Sequence, residues 1–476
     1  MAQHSRDVLG QLQSAITENS ALKYQIKQQT KTIKDQAAQI ILMAKLFDEQ
    51  IAKLTDEVDR LRKQINTDSS NSSLPPSQDQ KPNKIFNSRE KSGKSSGGQK
   101  GHKAHFLNKA DILKKIEQGL ITPKVITHGQ GDNYISKYTI GIETKVVVTE
   151  HRFYGEIPFE FRPDVQYDDA IKAFATMLVG RGIVASNRVV ELIAAITNNE
   201  INLSDGSIYN WLKEFDTKAE SAIKEIETNL LNSPTLNVDG TGARCEGKNM
   251  YGRNYSTENY VRYTVNETKA MVGIEKDGIL TKFAGTVIHD HDTAYYNYGT
   301  RHAECNVHID RYLKSNGENT RNKWSDSMRT LLNSSNQARK YAKAQDQAYF
   351  SQETIDSYKK KYDKILELGF AENKKTKSRY DKKEELKLLR RLQKYKKQHL
   401  LYLDDFTVPF DNNLSERDLR TLKTKMKVSG CFRSLTGGKH FATLLSVIKT
   451  AIKQNHSPYH AVKNVFAGTN VLSTQV

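Results

Sequence analysis

The chain has 476 residues, with 73 Lys or Arg against 55 Asp or Glu, a formal charge of +18 and an isoelectric point near 9.4. That length suits roughly two to four domains, and that charge calls for a polyanionic partner, most often nucleic acid or an anionic membrane surface. Apolar runs far shorter than the roughly 20 residues of a membrane span, no signal-peptide core in MAQHSRDVLGQLQ, and only Cys245, Cys305 and Cys431 imply a cytoplasmic, nucleoid-associated protein without membrane or disulfide framework.

Residues 1–66 read as one long helix. Stepping back from Ile65 by alternating threes and fours gives Leu61, Val58, Leu54, Ile51, Phe47, Ala44, Ile40, Ala37, Ile33, Thr30 and Ile26. Polar Lys23 and Asn19 interrupt before Ile16, Leu12 and Leu9 resume the register. An apolar repeat of about 3.5 residues held this long makes a coiled-coil seam, so the expectation is a homo-oligomer, at least a dimer. A helix folded back on its own globular part is the alternative.

Residues 67–103 are Ser, Asn, Pro, Gly and Lys with almost no apolar side chain, the composition of a flexible linker. Lys81, Arg89, Lys94 and Lys100 make it a candidate DNA-tracking arm as well as a tether. Residues 104–165 read as a small mixed module in which KVITHG, YTIGI and TKVVVTEHRFYGEIPF look like strands. Residues 166–230 are helical. Their last helix, capped by Ser204 and carrying Ile208, Trp211 and Leu212, gives the outline of a helix-turn-helix or of any small bundle.

An α/β core is expected from 231 to 309. TLNVDGTGAR reads as a strand ending at Asp239 in a Gly-rich turn, NYVRYTVN and MVGIEKDG as two more, and TKFAGTVIHDHDTAYY as a fourth leading into Asp290. Residues 310–405 are helix formers with 16 Lys or Arg against 6 Asp or Glu between Lys359 and Lys397. A basic helical pair there, with Arg390, Arg391 and Lys394, suits contact with a phosphate backbone, and a solvated charged hairpin suits the composition equally. Residues 406–476 open with VPFDNNLSERDLRTLKTKMKVSGCFRSLTGGK, where Asn413 and Glu416 have capping-box spacing. Glu416 there is surrounded by Arg417, Arg420, Lys423, Lys425, Lys427 and Arg433. FATLLSVIKTAIKQ reads as a short amphipathic helix and the last ten residues as a frayed end.

Asp239, Asp290 and Glu416 each fall at an element boundary. Three carboxylates converging on one point repel unless a cation lies between them, and hard oxygen donors suit Mg²⁺ or Mn²⁺. Two such ions about 3.5–4 Å apart support in-line phosphoryl transfer. Asp292 is the runner-up to Asp290. Cys305 and His308 are half of a tetrahedral site at most, so a structural role competes with metal ligation.

Asn71-Ser72-Ser73-Leu74-Pro75-Pro76-Ser77 after a heptad helix, then Gly97-Gly98-Gln99-Lys100-Gly101-His102-Lys103, resembles the N-terminal signature of the insertion-sequence-66 family of bacterial transposases. Val238-Asp239-Gly240-Thr241-Gly242, His289-Asp290, Cys305-x-x-His308, Pro409-Phe410-Asp411-Asn412-Asn413, Glu416-Arg417 and Val428-Ser429-Gly430-Cys431-Phe432-Arg433-Ser434 extend it over roughly residues 50 to 465. The resemblance implies an α/β ribonuclease-H-like catalytic core with an α-helical insertion and a DDE triad of Asp239, Asp290 and Glu416. It implies two Mg²⁺ or Mn²⁺ ions, DNA as partner, cleavage at the ends of a mobile element and strand transfer into target DNA. Residues 104–163 contain no cysteine, so the four-cysteine zinc site that members commonly carry there is excluded and the module is at most a degenerate one. An inactive DNA-binding relic and a metal-dependent nuclease that never joins are the competing readings.

Overall fold

The computed structural model describes residues 2–67, 108–158, 161 and 165–469. It separates into two compact units, Met1–Gln80 with His302–Asp411 and Lys81–Arg301 with Asn412–Val476. The expected basic arm (Lys81, Arg89, Lys94, Lys100) and most of the expected frayed end lie outside the described residues. None of the described helices is long and apolar enough to cross a membrane.

The first unit begins with α1, Ala2–Asn66, one unbroken helix as the heptads predict. Its seam side chains, among them Leu9, Ile26, Ile33, Ile40, Ile51 and Leu54, are all exposed. In the second unit, α2 (Lys109–Glu117) is capped by Asn108, whose side chain accepts from Ala110 N at 2.9 Å. The strands expected beyond it are not formed: residues 121–158 run without helix or strand, with Tyr134, Ile142, Val148 and Tyr154 exposed. Alternating β-branched residues supply propensity, but a strand gains stability only from a paired neighbour and a face to bury.

Four helices follow: α3 (Asp169–Gly180), α4 (Ser186–Ile196), α5 (Asp205–Lys218) and α6 (Glu220–Leu231). Ser204 caps α5 as expected, accepting from Ser207 N at 3.1 Å, and Ile208, Trp211 and Leu212 are buried. The connection from Thr197 to Ser204 turns through left-handed Asn198 and Asn199. It is longer than the 3–4 residues that join a helix-turn-helix, so the outline read from sequence is met only loosely.

The sheet contains β1 (Thr235–Cys245), β2 (Lys248–Ser256), β3 (Val261–Asn266), β4 (Thr286–His289) and β5 (Arg301–Glu304) in the order β3-β2-β1-β4-β5. β1, β2 and β3 form an antiparallel meander, and β4 runs parallel to β1. Two expectations are corrected here. β1 does not end at Asp239 but continues through the glycines to Cys245, because β2 pairs with it along that length. MVGIEKDG is not a strand but the helix α7 (Met271–Asp277), stopped by Gly278 at φ 72°. A short apolar run is ambiguous by periodicity alone, and a left-handed glycine just past it marks a helix end.

The first unit resumes with α8 (Asn306–Thr320), α9 (Trp324–Ala344), α10 (Gln352–Lys375), α11 (Arg379–Lys394) and α12 (Lys396–Asp404). Leu366 of α10 and Leu389 and Leu392 of α11 are buried, so part of the expected stripe forms the helical pair, whereas Leu368 is exposed. The polar centre of this unit is Glu385, 1% exposed. Its carboxylate accepts from Trp324 Nε1 (2.7 Å), Asn322 Nδ2 (2.8 Å), Asn373 Nδ2 (2.9 Å), Asn316 Nδ2 (3.1 Å) and Thr376 Oγ1 (3.1 Å). Burial alone would push its carboxyl pKa up, but these bonds outweigh burial and hold it below the ordinary carboxylate range. The end of α1 docks on α11: Ser378 Oγ donates to Asp59 at 2.6 Å and Lys63 meets Glu384 at 3.5 Å. Asp56, Asp59 and Lys63 lie on the helix face opposite Val58 and Leu61, so this docking leaves the seam uncovered.

The second unit closes with α13 (Asn413–Ser429), α14 (Leu435–Lys453) and α15 (Pro458–Phe466). α14 is longer than the amphipathic segment expected, and from Phe441 to Ile448 it is wholly buried. It covers the edge of the sheet: Ser446 Oγ accepts from Tyr263 N at 2.9 Å and Thr450 Oγ1 from Val261 N at 3.2 Å. An edge strand whose outward N–H groups are taken by a helix cannot pair with another chain there. α13 lies against β1 and β2, with Leu419 and Leu422 buried. Gly252 makes that approach feasible, since a Cβ there would come within 2.4 Å of Leu422.

Candidate active site

The β1–β4 ladder ends at the pair Val238–His289. The next residues are Asp239, still held in β1 by β2, and Asp290, where the chain leaves the sheet. A parallel register therefore sets these carboxylates side by side, about one strand spacing of 4.8 Å apart at the backbone. Glu416 joins them from the first turn of α13, with a carboxylate oxygen within 4.8 Å of one on Asp290. The three acids named from sequence are thus brought together within one unit.

Electrostatics agree with the geometry. The Asp239 side chain is 12% exposed, and its carboxyl is pushed up from 3.8 to about 7. Burial is the main cause and the Asp290 charge the second, with a smaller push from Glu416. Lys423 Nζ, 3.9 Å from Asp239 Oδ2, and the Gly240 N–H, 2.7 Å from Oδ1, offset only part of this. Beside the cluster, burial followed by Asp239 pushes the Tyr251 hydroxyl up, and the Arg253 guanidinium lies 4.8 Å from the Tyr251 ring centre. Arg253 in turn pairs with buried Asp277 at 3.3 Å.

Asp292, the runner-up, is otherwise engaged. It caps the 3-10 helix Thr293–Asn297, accepting from Ala294 N at 3.1 Å, and pairs with Lys269 at 3.0 Å. Cys305 and His308 are buried in the first unit, at the N-cap and in the first turn of α8.

The basic residues divide. Arg417, Arg420, Lys423 and Lys427 are exposed along α13, and Glu416, Arg420, Lys423 and Lys427 share one helix face by their spacing. Arg433 is exposed in the loop before α14. Lys425 instead lies over the Phe441 ring at 5.6 Å, where burial pushes its ammonium down. In the first unit Arg390 and Lys394 are exposed, whereas Arg391 is held by buried Glu304 at 2.8 Å and lies over Tyr312. An arginine held in this way has less to offer a phosphate than its neighbours.

α13 starts one residue earlier than the expected capping box requires. Asn412, not Asn413, is the N-cap, and its side chain makes no cap bond. Its amide turns to the sheet instead: Asn237 Nδ2 donates to Asn412 Oδ1 at 2.9 Å, and Asn412 Nδ2 donates to Val238 O at 2.8 Å. On β2, Asn254 Nδ2 donates to Ser415 O at 2.9 Å and Ser415 Oγ donates to Asn254 Oδ1 at 2.8 Å. All four residues are buried. Asn237, Asn254 and Ser415 carried no signal in the sequence; a run of buried polar residues in β2 is recognised only once the strand is known.

Comparison with known proteins bears on the whole arrangement. A family of unknown function (DUF6444) matches residues 13–108, spanning much of α1. A search of curated proteins finds no match. The model of the IS66 transposase family matches residues 187–440, more than half of the chain and inclusive of all three clustered carboxylates. The chain belongs to the IS66 family of transposases.

Proposed function

We propose that this chain is a metal-dependent DDE transposase that cleaves the ends of its own element and joins them to target DNA. The observation that carries the reading is the parallel register that brings Asp290 beside Asp239, with Glu416 closing on them from α13. The sheet order, with a three-stranded meander and a parallel β4 beside β1, supports a ribonuclease-H-like core into which the α8–α12 helices are inserted. Partly buried carboxylates, of which Asp239 is raised to about 7 first by burial and then by the Asp290 charge, are a set that a divalent cation would relieve. Asp239, Asp290 and Glu416 would hold two Mg²⁺ or Mn²⁺ ions, which when bound activate the attacking water or 3′-hydroxyl and stabilise the leaving oxygen.

The remaining roles belong to the chain's own side chains. Lys423 sits at the edge of the carboxylates, where an ammonium can neutralise a phosphate oxygen that approaches Asp239. Arg417, Arg420 and Lys427 continue that positive face along α13, with Arg433 beyond its end. Arg390 and Lys394 offer a second phosphate contact on the first unit. The uncovered seam of α1 pairs two protomers, so that two element ends are held in one assembly.

Asp290 rather than Asp292 is the second carboxylate, because Asp290 is the charge that Asp239 feels most. Asp290→Asn should abolish Mg²⁺-dependent cleavage of DNA carrying the element's ends, while Asp292→Asn keeps at least a tenth of it. The reverse ranking would overturn the assignment. A chain that binds the ends without cleaving them would be the inactive relic, and one that cleaves without joining would be the nuclease.

A further inference from the structure

Glu416 is not attached to the sheet that carries Asp239 and Asp290; it arrives on a helix. Something must fix that helix along the strands, since a shift of one residue moves its side chains by 1.5 Å along the axis and misplacement of about 1 Å at a reacting centre is enough to impair catalysis. Leu419 and Leu422 anchor α13 by apolar packing, but such packing is non-directional and tolerates sliding.

We propose that Asn237, Asn254 and Ser415 are positioning residues that lock the first turn of α13 in register with β1 and β2, and so set where Glu416 meets the other two acids. This rests on the reading of Glu416 as a metal-holding carboxylate. Asn237 lies two residues before Asp239 on the same strand face, and Asn254 is the residue paired with Asp239 across the β1–β2 ladder. The two amides therefore bracket Asp239. Each reaches a different point on one helical turn: Asn237 grips Asn412, four residues before Glu416, and Asn254 grips Ser415, the residue immediately before it.

The bonding is reciprocal at both points. Asn254 donates to the Ser415 carbonyl and accepts from its hydroxyl, and Asn412 accepts from Asn237 while donating to the Val238 carbonyl. A side-chain amide used at both ends is fixed in rotation as well as position. Asn412 also gives up the helix-capping bond that an N-cap Asn ordinarily makes. Burial of so much polar surface where leucines would pack equally well marks a place where direction, not adhesion, is what the contact supplies.

The test compares full-length wild type with Ser415→Ala, Asn254→Ala, Glu416→Gln and, as a core control, Val465→Ala in α15. Calorimetric titration with Mn²⁺ and single-turnover cleavage of end DNA are both read. Ser415→Ala and Asn254→Ala should each weaken Mn²⁺ binding about tenfold and slow cleavage to match, with the half-saturating DNA concentration within about twofold of wild type. Val465→Ala should lower the melting temperature as much and leave Mn²⁺ binding unchanged. If Glu416→Gln loses Mn²⁺ while Ser415→Ala and Asn254→Ala bind it like wild type, the positioning role is wrong and the catalytic reading survives. If Glu416→Gln itself binds Mn²⁺ like wild type, the catalytic reading fails and this inference with it.

Discussion

Replacing Asp239 by Asn should stabilise the metal-free protein while removing its chemistry. The carboxyl has an ordinary value of 3.8 and is held at about 7 in the fold. The folded state therefore binds its proton more tightly than the unfolded state does. That linkage favours folding below the unfolded value and is lost as pH rises through 7. At pH 8 the shift of about 3 units costs about 4 kcal/mol, at 1.36 kcal/mol per unit. Asn keeps an oxygen for the Gly240 N–H but forfeits the contact with Lys423, which is 45% exposed and contributes little. Asp239→Asn should then raise the melting temperature in chelator at pH 8 by roughly 5–10 °C for a unit of this size. The gap should shrink to under about 1 kcal/mol near pH 4, where the folded wild type is protonated and its unfolded state about half so. Differential scanning calorimetry against pH reads both. An Asp239→Asn protein that melts at or below wild type at pH 8 would refute the claim that burial and the neighbouring acids penalise this carboxylate.

Removing Glu385 should act in the opposite sense. Glu385→Ala leaves Trp324 Nε1 and several asparagine amides without their acceptor, so urea unfolding should show a loss of about 3 kcal/mol or more. Because the pKa of Glu385 is held below its ordinary value, its contribution is present above the unfolded value near 4.5 and lost as pH falls through the folded one. Glu385→Gln should remove that acid-side dependence, which a pH series of melts would show. Because the seam of α1 is exposed, the full-length chain should be at least a dimer by light scattering and a chain lacking residues 1–66 a monomer; a monomeric full-length chain, or equal oligomers from both, would refute pairing through α1.

Much of this was legible in the sequence because it rests on local rules. The heptads gave α1, Ser204 gave the start of α5, and apolar runs ending in an acid gave the β1 and β4 segments. β2 escaped because its buried side chains include Arg253, Asn254 and Ser256, which break the alternation on which strand reading depends. Those polar residues are buried because partners from distant parts of the chain meet them: Asp277 for Arg253 and Ser415 for Asn254. The start of α13 was misplaced by one residue, because Asn412 is its N-cap and Asn413 already lies inside the first turn. In the 121–158 stretch the error ran the other way, with strand propensity present and no pairing neighbour. Asp290 and Glu416 do lie at element boundaries, whereas Asp239 lies inside β1 and was named at a strand end that is not there; the residues that hold the acids in place could not be named, because their partners are 161 to 175 residues away in the chain.

The central claim is that Asp239, Asp290 and Glu416 act together on DNA. Purified protein incubated with end-containing DNA and Mg²⁺, beside Asp239→Asn, tests it on a sequencing gel that resolves nicked and joined strands. The account predicts cleaved ends and joined products from wild type and neither from the variant, at equal DNA occupancy. Equal cleavage by the two proteins would contradict it.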